Sequence, residues 1–111
     1  MEVLTTDHKR CTVIKTSGRV DGASAPSLGE TLKTLTDEGK FKIVFDMTEV
    51  NFMASAGWWV LIDTQKRCKQ YNRGELVLAC VDKGIRDSLN LVGMGSYFKI
   101  FDDVISAVGS F

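Results

Sequence analysis

The stretch Phe41–Leu61, "FKIVFDMTEVNFMASAGWWVL", decides how the rest of this 111-residue chain is arranged. It opens with "FKIVFDM", whose apolar run Ile43–Phe45 is short and rich in β-formers, as in a strand covered on both faces. It then narrows to four small residues, Ala54 to Gly57, and widens at once into two tryptophans. Stepping about 100° per residue from Gly57 gathers Val60, Thr64, Gly57, Cys68, Leu61, Trp58 and Ile62 on one broad arc. That arc is the inner face of a helix expected from Gly57 to Tyr71. Trp59, Asp63, Lys66 and Gln70 fall opposite, on the wet side.

Upstream, Val3–Thr6 and Cys11–Thr16 are short β-prone runs separated by the polar turn "DHKR", which reads as a hairpin. Gly18 and Gly22 punctuate the following "SGRVDGAS". Pro26 suits the first turn of a helix, where its missing N–H leaves nothing unpaired. Leu28, Leu32 and Leu35 then recur at helical spacing, and Gly39 closes the segment. Downstream, "ELVLACV" from Glu75 reads as a second buried strand. Asp82 can cap a helix across "KGIRDSLNLV" that stops at Gly93. "YFKIF" from Tyr97 is a last short strand, and "DDVISAV" a last helix with Asp102 or Asp103 at its start. Two strands followed by alternating helix and strand require crossover connections, hence a sheet that is at least partly parallel. The opening hairpin makes it mixed. The expected architecture is a single α/β domain over residues 1–111: a small mixed sheet of about five strands packed against about four helices.

Composition limits the function classes. Apolar residues make up 44% and charged residues 25%, ordinary values for a globular domain. Fourteen basic residues balance fourteen acidic ones, which argues against broad binding to nucleic acid or to an anionic membrane. Cys11, Cys68 and Cys80 are widely spaced, and His8 is the only histidine, so no metal site is expected. The three thiols read as reduced and mostly buried. "MEVLTTDHKR" lacks the order of a signal peptide, and no run approaches the ~20 apolar residues of a membrane span, so a cytoplasmic protein is expected. No phosphate-cradling glycine loop and no Gly-x-Ser-x-Gly elbow occurs; neither a cofactor nor an enzyme activity is expected.

Ser55 admits two readings. Its oxygen can cap the helix that follows by accepting an orphan amide of the first turn. Alternatively it is a phosphorylation site, because a phosphate at a helix start meets free amides and the positive end of the dipole. Trp59 likewise is either covered by a neighbouring loop or exposed as an interface anchor.

Several segments together resemble the STAS domain family, and within it the stand-alone bacterial anti-sigma factor antagonists. They are "SGRVDGASAPSL" for the family's Gly-x-x-Asp turn, "KIVFDMTEVNFM" for the central strand and its exit, and "ASAG" for Asp-Ser-Ser/Thr-Gly. "GELVLACV", "LNLVGM" and "FKIFDDVISAV" follow in the family's order, so the resemblance spans Cys11 to Val108. It implies a mixed sheet with helices packed against it. It implies a non-enzymatic binding switch in transcription regulation, which engages an anti-sigma factor that is also a GHKL-type serine kinase and so releases a sigma factor. By position, Ser55 is the phospho-acceptor, and a phosphatase restores binding. Asp21 matches the Asp of the family's turn beside the acceptor. The partner surface implied is Asp21, Ala54, Ser55, Ala56, Trp59 and Asp63. The chain departs from the family at Ala54, where the Asp before the acceptor is missing, and at Ala56, where the second hydroxyl is missing. Trp59 is larger than the usual residue and suits a partner with room for an indole, or a weak homodimer. The alternative implied by Ala54 is a STAS interaction module of another signalling assembly or scaffold that is never phosphorylated.

Overall fold

The computed structural model describes residues 1–70 and 73–111. In chain order these form β1 (Glu2–Asp7), β2 (Thr12–Val20), α1 (Ala25–Asp37), β3 (Lys42–Met53), α2 (Ser55–Lys69), β4 (Glu75–Ala79), α3 (Lys83–Leu91), β5 (Ile100–Phe101) and α4 (Val104–Gly109). The five strands lie side by side in sequence order. β1 and β2 are antiparallel, and every later pair is parallel. The expected mixed sheet with four helices is therefore the one observed.

The topology dictates the layering. From β2 to β5 each new strand is added on the same side of the last. Crossovers of one hand then place every connecting helix on one face. Leu28, Leu32 and Leu35 of α1, Trp58, Leu61 and Ile62 of α2, and Ile85 and Leu89 of α3 join one core. The sheet contributes Ile14, Ile43, Phe45, Leu76 and Leu78 to it. The alternate residues Val13, Val44, Val77 and Ala79 form a second, smaller core under α4 and its Ala107. Helix starts follow the expected chemistry. Pro26 stands in the first turn of α1. Asp82 accepts from the Gly84 amide, and Asp103, not Asp102, accepts from the Ser106 amide.

Several boundaries differ from the sequence reading. Gly18 does not interrupt β2 but lies inside it at φ 89°, beside an irregularity in the pairing with β3. That left-handed backbone is tolerated because glycine has no Cβ. β3 continues six residues past Met47 to Met53. Lys15 pairs with Asp46 but Val20 pairs with Met53, so β3 has two residues more than β2 over this interval. Its inward residues are Phe45, Met47, Val50 and Met53. The two bulges stretch the spacing from two to three and hide the strand from a search for alternation. At the other end, Tyr97–Lys99 are not strand, and β5 is only two residues long. The helix expected to reach Tyr71 is helical to Lys69; Tyr71 itself lies outside the described residues.

Candidate functional site

The carboxyl ends of parallel strands are where an open α/β sheet exposes its loops, and two loops converge there. β2 ends at Val20 and β3 at Met53, which are register partners. One residue beyond, the Ala54 amide donates to the Val20 carbonyl at 2.8 Å. This bond fastens the turn that begins at Asp21 beside the start of α2.

The Asp21 turn is pre-formed. Its carboxylate accepts from the amides of Ala23 and Ser24 at 3.0 Å and from the Ser24 hydroxyl. The Asp21 amide in turn donates to Ser24 Oγ, whose single proton is shared between the Asp21 carboxylate and the Arg19 carbonyl. The Ser24 hydrogen bonds hold the Asp21 carboxyl below the usual carboxylate range, with the Ala23 amide and the Arg19 charge adding to the effect. Asp21 therefore stays ionised at neutral pH; Oδ1 is committed to its own loop, while Oδ2 faces the Arg19 guanidinium at 3.9 Å.

α2 begins one residue earlier than the capping reading requires. Ala54 is the N-cap, in extended conformation and with no side-chain cap, and Ser55 is the first helical residue. An oxygen at that position no longer points at the orphan amides from outside the helix, so the cap role is ruled out. Ser55 is exposed, and its hydroxyl has no hydrogen-bond partner among the described residues. Ala56 is exposed and Ala54 half-buried. Gly57 explains why the run of small residues is there. A Cβ on it would come within 2.8 Å of Met53 Sδ and of Val20 Cγ1. A side chain there would have to push aside the Met53 thioether and a Val20 methyl, so the bare glycine lets the helix start sit directly on the strand ends, with Ser55 on the rim.

The two tryptophans separate as their angular positions require. Trp58 is 1% exposed and Trp59 58% exposed. The loop-covered alternative for Trp59 is thus excluded among the described residues. The inner arc is as expected for Gly57, Trp58, Leu61, Ile62, Thr64 and Cys68, with Val60 half-buried against Gly29 of α1. Asp63 is exposed on the outer face, paired with Arg67 one turn on; Arg67 also donates to Thr36 of α1 and so ties the two helices together.

Sequence reasoning missed two exposed residues beside the Asp21 turn. The Arg19 guanidinium lies 4.1 Å from the centre of the Phe52 ring, and Phe52 is 39% exposed. The two are register partners one step before Val20 and Met53. Since those neighbours point inward, simple alternation sends Arg19 and Phe52 to the opposite side. The signal was present but required knowing that both strands run this far.

Comparison with known proteins supplies the context. A family model described as the STAS domain matches residues 2–107. The putative anti-sigma factor antagonist BtrV of Bordetella bronchiseptica is 29% identical over 94 residues, 85% of this chain and 80% of that one. The anti-sigma-F factor antagonist RsfB of Mycobacterium tuberculosis is 24% identical over 108 residues, 96% and 85% of the two chains. The crystal structure of an anti-sigma factor antagonist from Mycobacterium paratuberculosis has the same fold, with a TM-score of 0.87 at 22% identity over 98% of this chain and 92% of that one.

Proposed function

This chain belongs to the STAS domain family, and on that premise we propose that it is an anti-sigma factor antagonist whose binding is switched at Ser55. In this reading the ledge formed by Asp21, Ala54, Ser55, Ala56, Trp59 and Asp63 docks on an anti-sigma factor that is also a GHKL-type serine kinase, in the cytoplasm, and a sigma factor is released. The observation that carries the reading is the state of Ser55. Its hydroxyl is exposed, without a hydrogen-bond partner among the described residues, and set at the first residue of a helix.

Phosphorylation transfers the γ-phosphoryl group of ATP to Ser55 Oγ. A new O–P bond forms, the bond to the bridging oxygen breaks to leave ADP, and the hydroxyl proton departs. The product carries about −1.5 to −2 of charge, which the free amides and dipole at the start of α2 accommodate. The fold therefore tolerates the modification, whereas a partner packed against that rim meets a charge it did not accommodate before. Trp59 supplies the aromatic anchor beside it. Hydrolysis by a phosphatase returns the surface to its first state.

The test is to incubate the protein with the GHKL-type kinase encoded nearest to its gene and ATP, and to weigh it. A gain of one phosphate that disappears in Ser55→Ala, together with loss of the complex, is expected. Tight binding with no phosphate gained would overturn the switch. It would favour the second reading, an unphosphorylated interaction module of another signalling assembly. Ala54 is the observation behind that alternative, because it leaves the helix start without a side-chain cap and the acceptor without a preceding carboxylate.

A further inference from the structure

The two edges of the sheet are finished differently. β5 is two residues long, and its Phe101 packs in the smaller core with Val104 and Val108 of α4. β1 runs for six residues and keeps register with β2 at every one of them, with no bulge. Its sequence, "EVLTTD", has no proline, glycine or lysine, and five of the six residues are exposed. Short length, prolines, bulges, edge lysines or a covering helix ordinarily keep an edge strand from pairing with another chain. β5 has two of these devices, whereas the backbone of β1 is left open.

The hairpin fixes which backbone groups face outward. The His8 amide donates to the Cys11 carbonyl at 2.8 Å, so these two residues form a hydrogen-bonded pair of the ladder. In an antiparallel ladder such pairs alternate with pairs that are not bonded to each other. Thr6, Leu4 and Glu2 therefore turn their amides and carbonyls toward β2. Asp7, Thr5 and Val3 turn theirs away, to the side where no strand lies among the described residues.

These three outward residues are spaced to pair with themselves. A second copy laid antiparallel across a two-fold axis at Thr5 sets Thr5 opposite its own counterpart and Val3 opposite Asp7, which satisfies every outward donor and acceptor on both strands. The side chains agree with that register. Asp7 is already matched by Lys40, whose ammonium lies 3.1 Å from both carboxylate oxygens, so it brings no bare charge to face Val3. Glu2 comes opposite His8, at the turn that carries Lys9 and Arg10, so the acidic start of each strand meets the basic turn of the other. On the face away from α1, α2 and α3, Leu4 is 64% exposed and falls diagonally across from the other Leu4, within reach of a side chain of that length.

We propose that β1 is a self-association edge, through which two copies of this chain pair antiparallel about Thr5 and join their sheets into one. Six residues a side is well short of the ~20–30 of a standard interface, so the pair is weak and forms reversibly with concentration. The proposal is independent of the Ser55 reading. α2 follows β3, two strands in from this edge, and the edge is the same whether or not Ser55 is modified.

Sedimentation equilibrium of the full chain from micromolar to near-millimolar concentration tests this, together with amide hydrogen exchange at both ends of that range. A reversible dimer is expected at the upper end. Exchange at the amides of Val3, Thr5 and Asp7 should slow about threefold or more as it forms, while Leu4 and Thr6, already bonded to β2, stay unchanged. Thr5→Lys sets two like charges directly opposite each other and should weaken the dimer about tenfold or more. Its melting temperature at low concentration should match the parent, since Thr5 is exposed. Thr5→Ser should retain the dimer. A chain that stays monomeric throughout, or a dimer that Thr5→Lys leaves intact, would overturn the proposal. So would a dimer lost in Trp59→Ala, which would assign association to the outer face of α2.

Discussion

The inner and outer faces of α2 are made from one run of fifteen residues, yet they obey different rules. On the inner face every group is committed. Gly57 touches Val20 and Met53, Trp58 reaches Ser88 of α3 with its indole N–H, and burial pushes the Cys68 thiol up to about 11. On the outer face Ser55 has no partner among the described residues, Trp59 is mostly in water, and Asp63 holds only the arginine one turn away. The lesson is that one helix divides its residues between holding the fold and presenting a surface, and that neighbouring identical side chains can fall on either side of the division.

Substitutions can break or sharpen that division. The largest effect should come from Trp58→Ala, which removes a fully buried indole and should lower unfolding free energy by about 3–5 kcal/mol in urea denaturation. A loss under about 1 kcal/mol would place that ring outside the core. Next is Gln65→Ala. Gln65 is fully buried, its Oε1 accepts from the Leu76 amide at 2.7 Å, and its Nε2 donates to the carbonyls of Leu76 at 2.9 Å and Tyr97 at 3.3 Å. β5 is too short to pair with β4 at Leu76, so this side-chain amide stands in for the missing strand. Its removal should lower stability by about 1–3 kcal/mol and accelerate hydrogen exchange at the Leu76 amide. The smallest stability effects belong to the outer face. Ser55→Asp and Trp59→Ala should each stay within about 0.5 kcal/mol of the parent, while weakening the complex with the proposed partner kinase at least tenfold. Equal losses of stability and affinity at Trp59 would erase the distinction between the two faces.

Much of this was legible in the chain itself. The buried strands Ile43–Phe45 and Leu76–Ala79, the leucine repeat of α1, the cap at Asp82 and a cap at Asp102 or Asp103 all follow local rules, and the structure obeys them, choosing Asp103. The angular sorting of Trp58 from Trp59 needed only helical geometry. What stayed hidden depended on pairing between distant segments. Gln65 falls on the same arc as Leu61 and Cys68, but a polar side chain is not counted as core until its backbone partners on β4 are known. The cap assignment of Ser55 failed for a similar reason. The helix start is fixed one residue earlier, by the bond between Ala54 and Val20 rather than by any side chain. Arg19 and Phe52 were missed because β2 and β3 run further than their alternation suggests.

The two bulges in β3 have a consequence for ancestry. Each one takes up an extra residue and leaves the residues beyond it on the same face as their β2 partners, so Met53 is turned inward opposite Val20 just as Phe45 is opposite Ile14. A lineage that lost an extra residue together with its bulge would keep that match, whereas a residue lost from a regular part of the strand would bring Phe52 beneath the helices and turn the thioether outward. Length changes in this strand should therefore gather at the two bulges.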